Sequence, residues 1–454
     1  MLLWVPTAGA ESPVATAESS TDGPRVERFT WEELTAAIER DHPLMKASKA
    51  GLDEFEAKLS QADWAYFPSF KIDAGFAITP KVTGDALSSD TTYDEIGYAV
   101  SAELTMVQPL YTFGKISALK RAAARGVGVG RAQMDIARWE LRHRAAQAFM
   151  GKLLANELDS LLEEGRGWLD KSAKRMERLR DEDSDDYDQL EHLRLKTRTA
   201  EFYTLAAENQ LLAVQSSQGL RLLLSRDASV QVEPVGKRLE PIGYTFLTAE
   251  KYVAIARVSE PSLRVAREGV AAKHALADVK DAELWPDLVL LGSAKIAHAN
   301  KVEDQDSSFA NDPAHAQSVG LALGVRWNLD VPQRIFRAEE ARASAIKIEQ
   351  QAKVARDLNE LNVRGLHQKL ANARELIEIF AMSQRAAQGW LQATWDTYDA
   401  GFGNFRDVMD ALVQFYSKKL GYLQHVFEHN VLVHALSQAI GVDATTLTGD
   451  SAPK

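Results

Sequence analysis

Cysteine is absent from the 454 residues, which removes disulfides, thiolate nucleophiles and thiolate metal sites together. Proline is sparse, at 14 residues, so long stretches run without a helix breaker. No window approaches about eighteen uninterrupted apolar residues, the run that a membrane-crossing helix needs. Positive charge is in deficit: 53 Lys and Arg stand against 64 Asp and Glu, for a formal net charge of −11. That argues against a nucleic-acid partner, which calls for a basic face.

The chain does carry helix of unusual length. From Lys115 to Arg180 no proline interrupts a run rich in Ala, Leu, Arg, Glu and Gln. At about 1.5 Å per residue such a helix is roughly 100 Å long, too long for a compact core. Its apolar residues, among them Leu141, Ala145, Leu154, Leu158 and Leu161, recur three or four apart between charges. It therefore packs narrowly and stays wet elsewhere. A strand feeds it. Tyr98, Val100, Ala102, Leu104 and Met106 alternate with Ala99, Ser101, Glu103, Thr105 and Val107, a period of two with one apolar face. The chain then turns through Gln108 to Gly114 into the helix.

The opening residues MLLWVPTAGA are apolar and end in Ala8-Gly9-Ala10, like the tail of a secretory signal without its positive region. This predicts a start further upstream or a misassigned one, with a plain floppy terminus as the alternative. Glu11 to Pro24 is rich in Ser, Thr, Ala and Pro and reads as disordered. Residues 1–29 are thus expected to be a leader.

From Thr30 a plan unfolds twice. Thr30 and Thr248, Pro43 and Pro261, and Pro68 and Pro286 are each 218 positions apart, the mark of an internal repeat. The first repeat, 30–225, is predicted to hold strands near 70–79 and 97–107, a long helix at 115–180 and a returning helix at 187–225. The second, 248–442, holds strands near 288–298 and 318–329, a long helix at 334–398 and a returning helix at 405–440. Residues 226–247 link the repeats, and 443–454 form a tail. Four one-sided strands of about ten residues suit a tilted bilayer crossing. Four cannot close a barrel, and open edges are not tolerated in lipid, so the chain must oligomerise.

The corner QPLYTFGK (Gln108 to Lys115), the paired helix starts at Pro43 and Pro261, and YDAGFGNFRDVMDA (Tyr398 to Ala411) resemble the TolC-type outer-membrane efflux channels. The likeness runs from Thr30 to Val442. It implies a mainly α protein with transmembrane β: a homotrimer whose twelve-stranded outer-membrane barrel continues into a periplasmic helical barrel. It further implies outer-membrane lipid, a periplasmic adaptor and an inner-membrane pump as partners. The duct itself would be passive, without cofactor or bound metal. By motif, Asp407 and Asp410 ring the periplasmic constriction, where a ring of carboxylates favours cations. Tyr398 and Asp188 fall on the link that holds the family's gate shut. Asp181, Asp183, Asp185, Asp186, Gly401 and Gly403 fall on the tips that touch the adaptor. Two departures stand out: Gly403 replaces an arginine of the closed-state clasp, and NLDVPQR (Asn328 to Arg334) replaces the Pro-Leu and glycine pattern of the strand-to-helix corner.

Other readings of the same residues are more ordinary. Asp407 and Asp410 also suit the start of any helix, and the acidic run from Asp181 to Asp188 suits a solvated turn. His425-Val426-Phe427-Glu428-His429 fits the H-x-x-E-H zinc peptidase pattern, with no third ligand nominated. A soluble coiled-coil scaffold explains the helices but leaves the four strands without purpose. Gly126, Gly128 and Gly130 lack the Lys-Ser/Thr of a phosphate loop and are expected to allow close helix contact.

Overall fold

A computed structural model describes residues 25–84, 88–184, 187–236, 238–305 and 312–448. The signal-like opening therefore lies outside the described residues. In chain order the elements are β1 (Arg25–Phe29), α1 (Trp31–Asp41), α2 (Pro43–Asp63), β2 (Ser69–Gly84), β3 (Ser89–Tyr111), α3 (Lys115–Asp181), α4 (Gln189–Leu223) and β4 (Val230–Pro234). They continue with α5 (Ala249–Ser259), α6 (Pro261–Ala282), β5 (Asp287–Ala299), β6 (Ala316–Arg326), α7 (Val331–Asp399) and α8 (Phe405–Ile440). The two long helices hold 67 and 69 residues. Among the described residues no helix is long and apolar enough to cross a membrane.

The chain falls into two compact units, Met1–Ala37 with Gln147–Leu239, and Ile38–Ala146 with Glu240–Lys454. In the first, Leu153, Leu154, Leu158 and Leu161 of α3 and Leu220 and Leu223 of α4 are buried, the narrow stripe that the spacing of leucines dictates. Asn209 of α4 locks that pair by donating to the Ala155 carbonyl at 3.1 Å and to Asp159 at 2.7 Å. A capping box starts α1: the Glu33 amide donates to Thr30 Oγ1 at 3.3 Å and the Thr30 amide to Glu33 Oε2 at 2.9 Å, satisfying two orphan helix donors. β1 and β4 pair in parallel, with Arg25 opposite Val230 and Phe29 opposite Pro234. That pairing corrects the expected leader boundary, because the last five residues of the leader are strand. A five-residue edge with two arginines has too little alternation to be read as such from sequence.

In the second unit, β2, β3, β5 and β6 form one antiparallel sheet in that order. Its helical core is shared by α5, α7 and α8: Tyr252, Val253, Ile255, Ala256, Val363, Leu370, Val433, Leu436 and Ile440 are all buried together. Ala444 and Leu447 join that core, so the described part of the expected tail, 443–448, packs on it. Ser437 Oγ fixes it by accepting from the Ala444 amide at 2.9 Å. The expected role of the three glycines in α3 is what the packing requires. A Cβ on Gly126 or Gly130 would approach the Phe55 ring of α2 to 3.0 or 2.8 Å, and one on Gly128 would meet Glu268 of α6 at 2.9 Å.

The two strand-to-helix corners are built differently. At the first, β3 runs on through Pro109 to Tyr111, shifting register after the proline, which has no N–H to give the ladder. The turn proper is Thr112 to Gly114, with Phe113 at φ 49 and Gly114 at φ 88. Lys115 then pairs with Asp287 at the start of β5, and Phe113 stacks on Trp285 with ring centroids 5.6 Å apart. At the second corner α7 begins at Val331, three residues before the expected Arg334, because Pro332 sits in the first turn, where its missing N–H is not needed. Arg334 braces this corner by binding Asp330 and the Glu283 carbonyl. Hairpin strands also outrun the expected bounds, β2 to Gly84 and β3 from Ser89. Polar residues near their tips break the alternation that defined them in sequence.

Candidate functional site

Register turns the alternation of single strands into rows across the sheet. Phe70, Met106, Gly292 and Leu321 stand side by side, as do Ile72, Leu104, Ala294 and Val319. Offset by one residue, Lys71, Thr105, Ser293 and Gly320 make a row on the opposite face, followed by Asp73, Glu103, Lys295 and Ser318. One face is therefore apolar and the other charged and polar, since successive side chains point to opposite sides. Among the described residues the apolar face is bare: Ile72 is 71% exposed and Val319 86%. β2 and β6 are both edges, each with a row of backbone groups lacking a neighbour in this sheet.

At the far end of α7 the chain reverses between Ala400 and Asn404. Gly401 takes φ 82, while the Gly401 amide donates to the Tyr398 carbonyl and the Phe402 amide to Thr397, at 3.0 and 3.1 Å. These bonds satisfy the last carbonyls of the helix, as a left-handed cap does. Gly403 follows in a space with no room for a side chain, since a Cβ would lie 2.7 Å from the Tyr398 nitrogen. The turn as built thus leaves no room for a larger residue at this position. Asn404 caps α8 by accepting from the Arg406 amide at 3.0 Å.

Asp407 lies in the first turn of α8 and Asp410 one turn on; both are exposed. Val408, Ala411 and Leu412 form the buried stripe beside them. At about 100° per residue Asp407 points roughly 95° and Asp410 roughly 155° from the centre of that stripe. Neither has an ion-pair partner among the described residues. Tyr398 packs its ring against Phe405, centroids 5.8 Å apart, and against Trp395, at 6.3 Å. Phe402 is 89% exposed, an apolar knob at the tip. Sequence reading missed it because a lone aromatic between glycines has no periodicity to flag it.

The other tip, in the first unit, closes α3 with Asp183 at φ 50 and the Ser184 amide donating to the Leu179 carbonyl at 3.1 Å. Asp181 and Asp183 are exposed. Asp185 and Asp186 lie outside the described residues. Asp188 caps α4, its Oδ1 accepting from the Leu190 amide at 2.8 Å, which leaves Oδ2 for another partner.

The H-x-x-E-H residues serve separate partners. His425 Nδ1 lies 3.1 Å from Glu428, with its ring 4.8 Å from Phe380. His429 is buried beside Tyr244, and its Nδ1 lies 3.1 Å from Asn430 Oδ1. Burial pushes its pKa down from the usual value. Asn430 in turn donates to the Glu240 carbonyl at 2.8 Å and accepts from the Ile242 amide at 2.9 Å. These contacts anchor the segment before α5, a structural use of the motif.

Comparison with known proteins bears on the whole chain. Residues 253–442 match the family described as outer membrane efflux protein. The outer-membrane channel OprN is similar in structure, at 19% identity and a TM-score of 0.69, covering 97% of this chain and 98% of its own. The Campylobacter jejuni CmeC outer membrane channel is similar at 14% identity and a TM-score of 0.69, covering 99% and 96%. The open state of the Neisseria gonorrhoeae MtrE outer membrane channel is similar at 14% identity and a TM-score of 0.70, covering 94% and 91%. No curated protein sequence matches the chain.

Proposed function

We propose that this chain, whose residues 253–442 belong to the outer membrane efflux protein family and whose whole length takes the fold of its channels, is the outer-membrane exit duct of an efflux or secretion assembly. The observation that carries this reading is the sheet. Its apolar rows face outward without cover and its polar rows face the other way, and both edges are open. In lipid such a sheet is viable only when its edges are paired in a closed barrel. Three copies supply twelve strands, enough for a channel with a polar bore.

Within that assembly α3, α4, α7 and α8 line a periplasmic tunnel and the helix tips form its entrance. Asp407 and Asp410, repeated in each protomer, make an acidic constriction that admits cations more readily than anions. Tyr398 and Asp188 link neighbouring hairpins in the shut state. Without an arginine at Gly403 the second clasp is missing, so less force holds this gate closed. The tips at Asp181, Asp183, Gly401 and Gly403, with Phe402 between the glycines, meet a periplasmic adaptor that joins the duct to an inner-membrane pump. Passage is passive, with energy supplied by the pump. Conductance of the purified protein in planar bilayers tests this reading: stable, cation-preferring steps support it, and a protein that never inserts refutes it.

A further inference from the structure

The loop between β5 and β6 carries a cluster of donor atoms on different elements from Asp407 and Asp410. Asp304, Asp312 and His315 each offer one ligand atom, and the three atoms lie within 4.8 Å of one another. His315 Nε2 is 2.7 Å from the carbonyl oxygen of Ala299. A carbonyl oxygen only accepts, so Nε2 carries a hydrogen and donates it. Without a second proton the ring turns the lone pair of Nδ1 toward Asp312 Oδ2, 3.2 Å away, and that atom is an acceptor too. Two lone pairs at this distance repel unless a cation stands between them.

The cation is either a second ring proton or a metal ion; one observation favours the metal and two more are compatible with it. A proton shared by Nδ1 and Oδ2 has no use for a third donor, yet the Asp304 carboxylate converges on the same place. The 3.2 Å gap suits an N–H···O hydrogen bond and equally the roughly 3.4 Å that separates two donors of a tetrahedral ion with bonds of about 2.1 Å. A backbone carbonyl on the remote nitrogen is also the usual outer partner of a metal-bound imidazole, fixing tautomer and ring orientation. Asp312 is positioned in advance: its side chain is 8% exposed and accepts from the amides of Gln305, Ala314 and His315 at 3.0, 2.7 and 3.1 Å.

We propose that Asp304, Asp312 and His315 bind a divalent transition-metal ion of the zinc type. One imidazole nitrogen with two carboxylates is a borderline donor set, which suits zinc and its neighbours better than soft monovalent copper or silver. Asp304 is exposed and supplies the third donor, with water in the remaining position. Binding draws the start and end of the loop together. The same loop is stapled to the β2–β3 hairpin, since the Gly84 amide donates to Glu303 at 2.8 Å and the Val82 amide to the Lys301 carbonyl at 3.0 Å. The ion therefore stiffens both hairpin ends together.

Calorimetric titration of the full chain in detergent with zinc alone, after chelator treatment, tests the site. One saturable ion per chain is expected, with affinity at least tenfold lower in Asp304→Asn and lost in His315→Gln. Asp304→Asn alters an exposed side chain and leaves the Asp312 turn intact, so its loss is not one of folding. Absence of saturable binding overturns the proposal. Wild-type affinity in both variants overturns it as well, by assigning the ion to other histidines. A His315 ring that responds to pH but not to zinc in NMR spectra also overturns it, in favour of the proton. None of these outcomes depends on conductance, so the site and the channel stand or fall separately.

Discussion

Replacing Asp407 and Asp410 by alanine removes two exposed carboxylates per chain, one helical turn apart and unpaired with any described cation. In water a divalent ion about 5 Å from one carboxylate is held by roughly three times thermal energy. Physiological salt, with a Debye length near 8 Å, cuts this to about half and leaves roughly fivefold local enrichment per carboxylate. A pair from one chain acting together gives about twentyfold. Block of single-channel current by a divalent cation is the direct assay. The double variant should need at least tenfold more blocker, each single variant roughly fourfold more, and unblocked conductance should rise. The same blocking concentration in wild type and double variant would show that these carboxylates do not line the narrowest point.

Leu370→Ala empties a fully buried position between α5, α7 and α8 and should cost about 2–5 kcal/mol, read as a lower midpoint in denaturant. Gly403→Ala places a Cβ 2.7 Å from the Tyr398 nitrogen; the turn must open, at about 1–3 kcal/mol, and protease cleavage near Phe402 should quicken with the rest of the chain unchanged. His434 is buried, and burial first, then Arg142 and His143 against the opposing Asp443, holds its pKa down at about 4. The unfolded chain takes up this proton first, so the contribution is complete above about pH 6.5 and is lost as pH falls toward 4, on the order of 3 kcal/mol in all. Denaturant midpoints at pH 4.5 and 7.5 should differ less in His434→Gln than in wild type; an unchanged difference would assign the pH dependence elsewhere.

What was legible in the sequence was periodic. Alternation at Phe70, Ile72, Phe76 and Ile78, and again at Val319, Leu321, Leu323 and Val325, marks strands because a bare apolar face leaves a period of two. The long helices announce themselves by the lack of proline, and Thr30 with Glu33 by a spacing that only a cap explains. Pairing across long separations left no such trace. β1 meets β4 some two hundred residues away, and β1, read as RVERF, does not alternate. The donor cluster of Asp304, Asp312 and His315 was equally hidden, because a loop brings its members together and no regular spacing records it. At the tips the motif nominated Asp407 and Asp410, but only the turn explains Gly403, whose missing side chain leaves space for the Tyr398 backbone.

Single-particle imaging of the detergent-extracted protein tests the central claim most directly. The account predicts threefold symmetry, with each chain contributing four strands to one closed barrel and particles that aggregate when detergent is withdrawn. A monomer that stays soluble without detergent, its sheet edges covered by its own chain, would contradict it.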